Sequence, residues 1–303
     1  NYLPFFKRIV HHGFKILILE EEGLITYKKD MYLDMRTDKD CLNLVDRYYL
    51  WGKHQYQMLL SKYSTQKEKF LVTGNPRFDF LTKKNNSIYK KEINLIKNKF
   101  KDFCLVCTCF PSINHYDENL NVIENLKARN TLRSKESINN FVKYQEVKRK
   151  TLKEFLIFID QYAKKNTKIN IVIRPHPGES NKPYHYLCRK YRNVFLSRDY
   201  SVHSWITASK FIVHHYCTTS IEALALDVTS YCIRPESFKN AEYEFPFDCS
   251  NCFRSGREMA SSLLKHGIQK KIVDKSKYKK YVMNIDTLNA SKQIADDIET
   301  FFE

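Results

Sequence analysis

Three clusters of polar residues have the types and spacing for chemistry, and each follows directly on an apolar run. Glu20, Glu21, Glu22 and Gly23 close the run Ile16 to Leu19. Arg174, His176, Pro177 and Glu179 close "INIVIRPHPGE", and His214, His215, Thr218, Thr219, Ser220 and Glu222 belong to "KFIVHHYCTTSIEAL". In the first cluster, charging one carboxylate disfavours charging its neighbour. A carboxylate held in that way suits work as a general base or a nucleophile. Glu21 and Glu22 are the candidates, with Glu20 beside them; three solvated loop acids are the alternative. In the second cluster, Pro175 and Pro177 bracket His176 and keep the backbone extended and stiff. Arg174 offers a bidentate fork for phosphate or carboxylate. In the third, "TTS" before "IEALAL" is an N-cap signal. Free N–H groups and adjacent hydroxyls there would form an anion site without a glycine loop. Glu222 either complements the helix dipole or accepts ribose hydroxyls.

These clusters need strands to present them. Short apolar runs alternate with amphipathic stretches along most of the chain: "KILILEE", "KFLVTG", "FCLVCTCF", "INIVIRPHPGE", "NVFLS", "KFIVHHYCTTS" and "SYCIRPE" read as strands. "CLNLVDRYYLWG" reads as loop. Residues 112–145 are polar and weakly periodic and read as an excursion, followed by a helix over about 145–165. Such alternation predicts an α/β fold of two Rossmann-like parallel-sheet domains, broken near residue 100. The expected division is an N-terminal domain at 1–100, a second domain at 101–285 and a C-terminal helix at 286–303. The chain opens on Asn1, and the first domain is expected to be incomplete. In such sheets ligands sit beyond the carboxyl ends of the strands, with Glu21, His176 and Ser220 expected to face one cleft. There is no GxGxxG or Walker loop among only seven glycines, so a phosphate must be held another way.

The net charge is +17, from 51 basic and 34 acidic residues. That balance favours anionic partners. The basic residues are spread along the chain, which argues against specific nucleic-acid binding, and a lysine-rich coding bias explains part of the excess. No apolar run reaches the roughly 20 residues of a spanning helix. Nine cysteines, an odd number, fit buried free thiols in a reducing cytoplasm. "CSNC" (Cys249, Cys252) has zinc-like spacing but no second pair.

The motif order resembles that of bacterial CMP-sialic acid sialyltransferases and capsule Kdo transferases, which are glycosyltransferases of GT-B architecture. The chain is similar, more closely, to the bacterial surface carbohydrate biosynthesis protein family, through Glu21 to Leu24, Trp51-Gly52, Thr73 to Asp79, Arg174 to Pro177 and Cys217 to Ala223. The resemblance covers about residues 13–235 and implies two Rossmann-like domains with the active site between them. It implies Glu21 as base and His176 with Thr218, Thr219 and Ser220 on the CMP phosphate. Arg77 and Asp79 become acceptor contacts, or simply pair with each other. The implied function is transfer of an acidic sugar of the Kdo or sialic-acid type from a CMP donor to a surface polysaccharide. The donor is a substrate, and no cofactor or metal is expected. The acceptor would be a glycan or glycolipid, and the protein cytoplasmic with peripheral contact at an anionic inner membrane. The alternatives are a GT-B relative with other chemistry (a UDP-sugar epimerase or a polyol-phosphate transferase), a non-catalytic member, and a basic nucleic-acid-binding protein.

Overall fold

The computed structural model describes residues 2–21, 24, 32–33, 36–82, 85–129, 131–132, 134–166, 168–238, 242–287 and 289–302. They form two parallel-sheet α/β units: Asn1–Asn86 with Asp274–Glu303, and Ser87–Val273. The boundaries expected at 100 and 285 therefore move. The helix Lys90–Phe100 belongs to the second unit, because Phe100 packs on Phe103, Phe195 and Trp205 at ring distances of 6.2, 5.4 and 5.3 Å. The C-terminal helix, Ala290–Phe302, returns to the first unit. No described helix is long and apolar enough to cross a membrane.

In the first unit, β1 (Leu17–Leu19), β2 (Arg47–Leu50) and β3 (Phe70–Val72) pair in parallel in that order. The central strand, β2, lies in the stretch that reads as loop. Its sequence, "RYYL", lacks a β-branched run. Instead its phenols find carboxylate partners: Tyr48 donates to the buried Glu20 Oε2 at 2.8 Å and Tyr49 to the half-buried Asp297 Oδ2 at 2.9 Å. Leu42, Val45, Leu50, Met58 and Leu59 fill the core around it.

The motif "TGNPRFD" fastens this unit together. Asn75 caps the short helix Pro76–Asp79 by accepting from Arg77 N at 2.9 Å, and Phe78 packs edge-on against Trp51. Gly74 adopts φ +84, and a Cβ there would collide with Asn284. Asp79, expected beside Arg77 as an acceptor contact, is buried and anchors the C-terminal helix instead. Its Oδ1 accepts from Asn284 Nδ2 at 2.6 Å and from Asn289 N and Ala290 N at 3.1 Å; Oδ2 accepts from Ser291 N and Oγ at 2.7 Å. Burial alone would raise its pKa, but the bonds from Ser291, Asn289 and Asn284 outweigh burial and hold it below the ordinary 3.8. A carboxylate with a depressed native value stabilises the fold above its unfolded pKa and loses that effect as pH falls through the native value. Asp79→Asn should thus cost about 1.5–3 kcal/mol at neutral pH. Urea unfolding should show that gap closing in acid; a gap that persists unchanged would refute the assignment.

The second unit holds six parallel strands: β4 (Phe103–Cys107), β5 (Asn170–Arg174), β6 (Val194–Leu196), β7 (Phe211–His214), β8 (Ser230–Ile233) and β9 (Asn251–Phe253), in the order β6-β5-β4-β7-β8-β9. Counted within the unit this is 3-2-1-4-5-6, the doubly wound order. β4, β7 and β8 are buried along their length, which is why they read as unbroken apolar runs. The long helix runs Lys135–Lys165, ten residues earlier than its apolar stripe predicts. A capping box between Ser134 and Ser137 starts it, and the supposed excursion also holds the helix Val122–Ala128. Phe155, Phe158, Ile159 and Tyr162 of the long helix face Ile171, Ile173, Phe211 and Val213 in the core. Gly256 lets the helix Gly256–His266 approach it closely, since a Cβ would strike the Glu154 carbonyl. Gly256 N instead donates to Glu154 Oε2 at 2.8 Å.

Candidate functional site

A doubly wound sheet opens a crevice where the strand order reverses, beyond the carboxyl ends of the two strands there. In the second unit those strands are β4 and β7. The segments leaving them are Thr108 to Phe110 and His215 to Ser220, flanked by "RPHPGE" after β5 and Arg234 after β8.

The "RPHPGE" loop is set by Glu179, which is fully buried. Its carboxylate accepts from Thr108 Oγ1 at 3.0 Å, Phe110 N at 2.9 Å, Tyr184 Oη at 2.7 Å and His176 N at 3.4 Å. Arg198 Nη2 bonds its carbonyl at 2.5 Å. One buried acid therefore joins β4's exit, the loop and the next helix. His176 itself is exposed. Its Nδ1 accepts from Gly178 N at 3.0 Å, so the neutral ring carries its proton on Nε2. Arg174 does not extend a fork from the loop. Nη1 and Nη2 donate to the Asp199 and Tyr200 carbonyls at 3.1 and 2.9 Å, which secures the neighbouring loop, where Tyr200 has φ +60. Pro177 is exposed at the loop's tip.

The hydroxyl cluster is less open than its sequence implies. Thr218 precedes the helix Thr219–Ala225 without a side-chain cap, and Tyr216 takes φ +39 to turn the chain. Thr218 and Thr219 are half-buried, and the Thr219 hydroxyl rests against the Cys107 and Cys217 thiols. Burial pushes Cys217 up to about 12. Ser220 is fully buried and donates back to the Cys217 carbonyl at 2.9 Å, so its hydroxyl is already committed. Glu222 is 2% exposed, an interior acid rather than an open ribose acceptor.

Behind these loops His214 and His215, both marked by the sequence, join a polar network whose other members, Ser250, Glu242, Arg234 and Lys148, were not legible as part of a site. His214 Nε2 meets Ser250 Oγ at 2.7 Å, and burial, with His215 second, lowers its pKa to about 3. His215 Nδ1 donates to the Ile233 carbonyl at 2.9 Å, and its Nε2 lies 3.5 Å from Glu242 Oε1. Burial and then Lys148 lower its pKa, against the pull of Glu242. Burial would raise Glu242, but His215, Phe238 N and Arg234 together keep it below the ordinary carboxylate range. Arg234 binds Glu242 at 3.2 Å and Glu244 at 2.8 Å, with its guanidinium 3.7 Å from the Phe247 ring centre. Lys148 is 1% exposed, with its ammonium over the Tyr144 and Phe110 rings at 5.2 and 5.7 Å. One signal could have found it: Lys148 falls on the stripe Phe141, Gln145, Lys148, Thr151 and Phe155, where a solvent lysine does not belong.

In the first unit the acids separate. Glu20 is buried and turned inward to Tyr48, while its carbonyl accepts from Trp51 Nε1 at 2.5 Å and Asn75 Nδ2 at 3.1 Å. Glu21 points outward, its side chain 62% exposed, and meets Arg77 Nη2 at 3.2 Å. Arg77 thus pairs with Glu21 and not with Asp79. Glu22 and Gly23 lie outside the described residues. Among the described residues, no group of three or more His, Cys, Asp or Glu converges as metal ligands.

Two parallel-sheet units, the second doubly wound, define a GT-B-like two-domain fold. No family model matches the chain, and no curated protein matches it. Solved structures do. The wall teichoic acid polymerase TagF aligns over 95% of this chain and 68% of its own, at TM-score 0.57 and 12% identity. UDP-GlcNAc 2-epimerase from Neisseria meningitidis, bound to UDP-GlcNAc, aligns over 98% and 73%, at TM-score 0.57 and 17% identity. The S. aureus MnaA–UDP co-structure aligns over 98% and 70%, at TM-score 0.54 and 14% identity. At such identities the likeness is one of fold.

Proposed function

We propose that the chain is a nucleotide-sugar-dependent glycosyltransferase that moves an acidic sugar, of the Kdo or sialic-acid type, from a CMP donor to a bacterial surface polysaccharide. The observation that supports this most is the loop after β5: a proline-bracketed histidine, exposed at the edge of a doubly wound sheet, on a loop that a buried carboxylate holds rigid. In this reading His176 Nε2–H donates to the donor phosphate, and Thr218 and Thr219 add hydroxyls. Arg174 and Glu179 keep the loops in position, while Ser220 and Glu222 support them from inside. Glu21 takes the acceptor hydroxyl proton as that oxygen bonds to the anomeric carbon. The bond from that carbon to the phosphate breaks, and CMP leaves with its negative charge held by His176. If the anomeric configuration is retained, a carboxylate first forms the bond to carbon and the acceptor then displaces it.

A second reading follows from the neighbours. Two of them carry UDP or UDP-GlcNAc, one being a UDP-GlcNAc 2-epimerase, and another is a wall teichoic acid polymerase. UDP-sugar epimerisation or polyol-phosphate transfer on this scaffold is the competitor. Incubation with CMP-Kdo or CMP-sialic acid and an oligosaccharide acceptor should release CMP in step with glycan extension, followed by chromatography. Conversion of UDP-GlcNAc to its 2-epimer, with no CMP released from either CMP donor, would replace this proposal with the competitor.

A further inference from the structure

Cys232 in β8 lies directly opposite Cys252 in β9 in the parallel register. Residues paired in this way leave the sheet on the same face, on strands about 4.8 Å apart. That spacing falls within the range of about 4.4–6.8 Å between Cα atoms that a disulfide spans. Both residues are free thiols, Cys232 buried and Cys252 exposed on the edge strand. The neighbouring Cys232 thiol, with Lys271 and Arg234, outweighs burial and holds Cys252 below the ordinary thiol range, whereas burial keeps Cys232 well above it. When protonated, Cys252 has the Phe247 and Ser250 carbonyls at 3.3 and 3.7 Å as acceptors. The pair therefore divides into an accessible nucleophile and a buried second thiol. Cys249, the other half of "CSNC", points elsewhere. Its Sγ contacts the Pro246 and Ser220 carbonyls at 3.3 and 3.8 Å, and burial pushes it up to about 11.

We propose that Cys232 and Cys252 form a vicinal dithiol site that a peroxide oxidises to a cross-strand disulfide. The Cys252 thiolate forms a bond to a peroxide oxygen, the O–O bond breaks and hydroxide leaves. Cys232 sulfur then bonds to the Cys252 sulfenic sulfur, the S–O bond breaks, and its proton leaves with that oxygen as water. Two thiols are oxidised and one peroxide is reduced to water. The bond would staple the segment that carries Arg234, Glu242 and Glu244, the charges paired around His215. The site does not depend on which nucleotide the protein uses.

The test is a non-reducing peptide map of the intact chain after stoichiometric hydrogen peroxide. Lys239 lies between the two cysteines (Arg234 precedes Pro235 and resists trypsin), so trypsin separates them unless they are bonded. Further cleavage by chymotrypsin after Tyr231 parts Cys232 from Cys217, and fragmentation of the cross-linked peptide tells Cys252 from Cys249. The expected product is one cross-linked peptide containing Cys232 and Cys252, reversed by dithiothreitol. Cys252→Ser removes it, and Cys249→Ser leaves it intact. In Cys232→Ser, Cys252 should instead accumulate as the sulfenic acid and react with dimedone. On the untreated protein, limiting iodoacetamide should label Cys252 at least ~10-fold faster than any other cysteine. Pairing of Cys252 with Cys249 or Cys217, or its passage to sulfinic acid with no cross-link to Cys232, overturns the proposal.

Discussion

Replacing Glu21 by Gln is expected to cut turnover by about 10²–10⁴, the usual worth of a positioned general base, with CMP affinity close to that of the parent. Stability should hardly change. The Glu21–Arg77 pair is exposed on both sides, and such pairs contribute about 0–1 kcal/mol. This combination separates chemistry from architecture at the acid cluster. Glu20→Gln disturbs the opposite property, because Glu20 is buried against Tyr48 and sits where Trp51 and Asn75 converge. It should lower stability more than Glu21→Gln does. Initial rates on a CMP-sugar donor, with unfolding curves for the same proteins, decide the matter. Near-normal turnover in Glu21→Gln with loss in Glu22→Gln would transfer the role to the neighbouring acid. Activity in all three variants would remove the cluster from the chemistry.

Glu179→Ala is expected to cost roughly 3–5 kcal/mol of stability and to abolish measurable nucleotide binding at ordinary concentrations. The acid accepts four bonds inside the second unit, and removing it leaves Thr108, Tyr184 and the Phe110 N–H buried without their acceptor. His176 N loses the same anchor, so the loop is freed at its functional residue. Urea denaturation and calorimetric titration read the two effects separately. A variant that keeps full stability, or keeps nucleotide affinity on a destabilised fold, contradicts the part given to Glu179.

How much of this was legible follows from where each signal lives. β4, β7 and β8 are buried on both faces, so local composition alone marks them, and the switch-point loops follow from counting strands. β2 escaped because its stabilisation comes from phenols bonded to Glu20 and Asp297, partners 28 and 248 residues distant. Asp79 escaped for the same reason: its five bonds reach residues 205 to 212 positions along the chain. Ser220 shows the opposite case. The N-cap pattern is local and correct for a helix start, yet the hydroxyl turned inward to its own turn, a choice decided by packing around Cys217. Lys148 was readable in principle, but only once the helix is extended back to Lys135 does its place on the buried stripe emerge.

The most direct measurement is the melting temperature of the purified chain and of His176→Ala with saturating CMP, UMP, UDP and CDP. A nucleotide that binds only the folded state must raise it, by about 2.7 kcal/mol of stabilisation at a hundredfold excess over Kd. CMP should raise the melting temperature of the parent, and His176→Ala should need one to two decades more CMP for the same shift, since a hydrogen bond to a charged group is worth roughly 1.5–3 kcal/mol. UDP or CDP stabilising the parent while CMP has no effect, or CMP stabilising both proteins at equal concentration, would contradict a CMP phosphate held by the His176 loop.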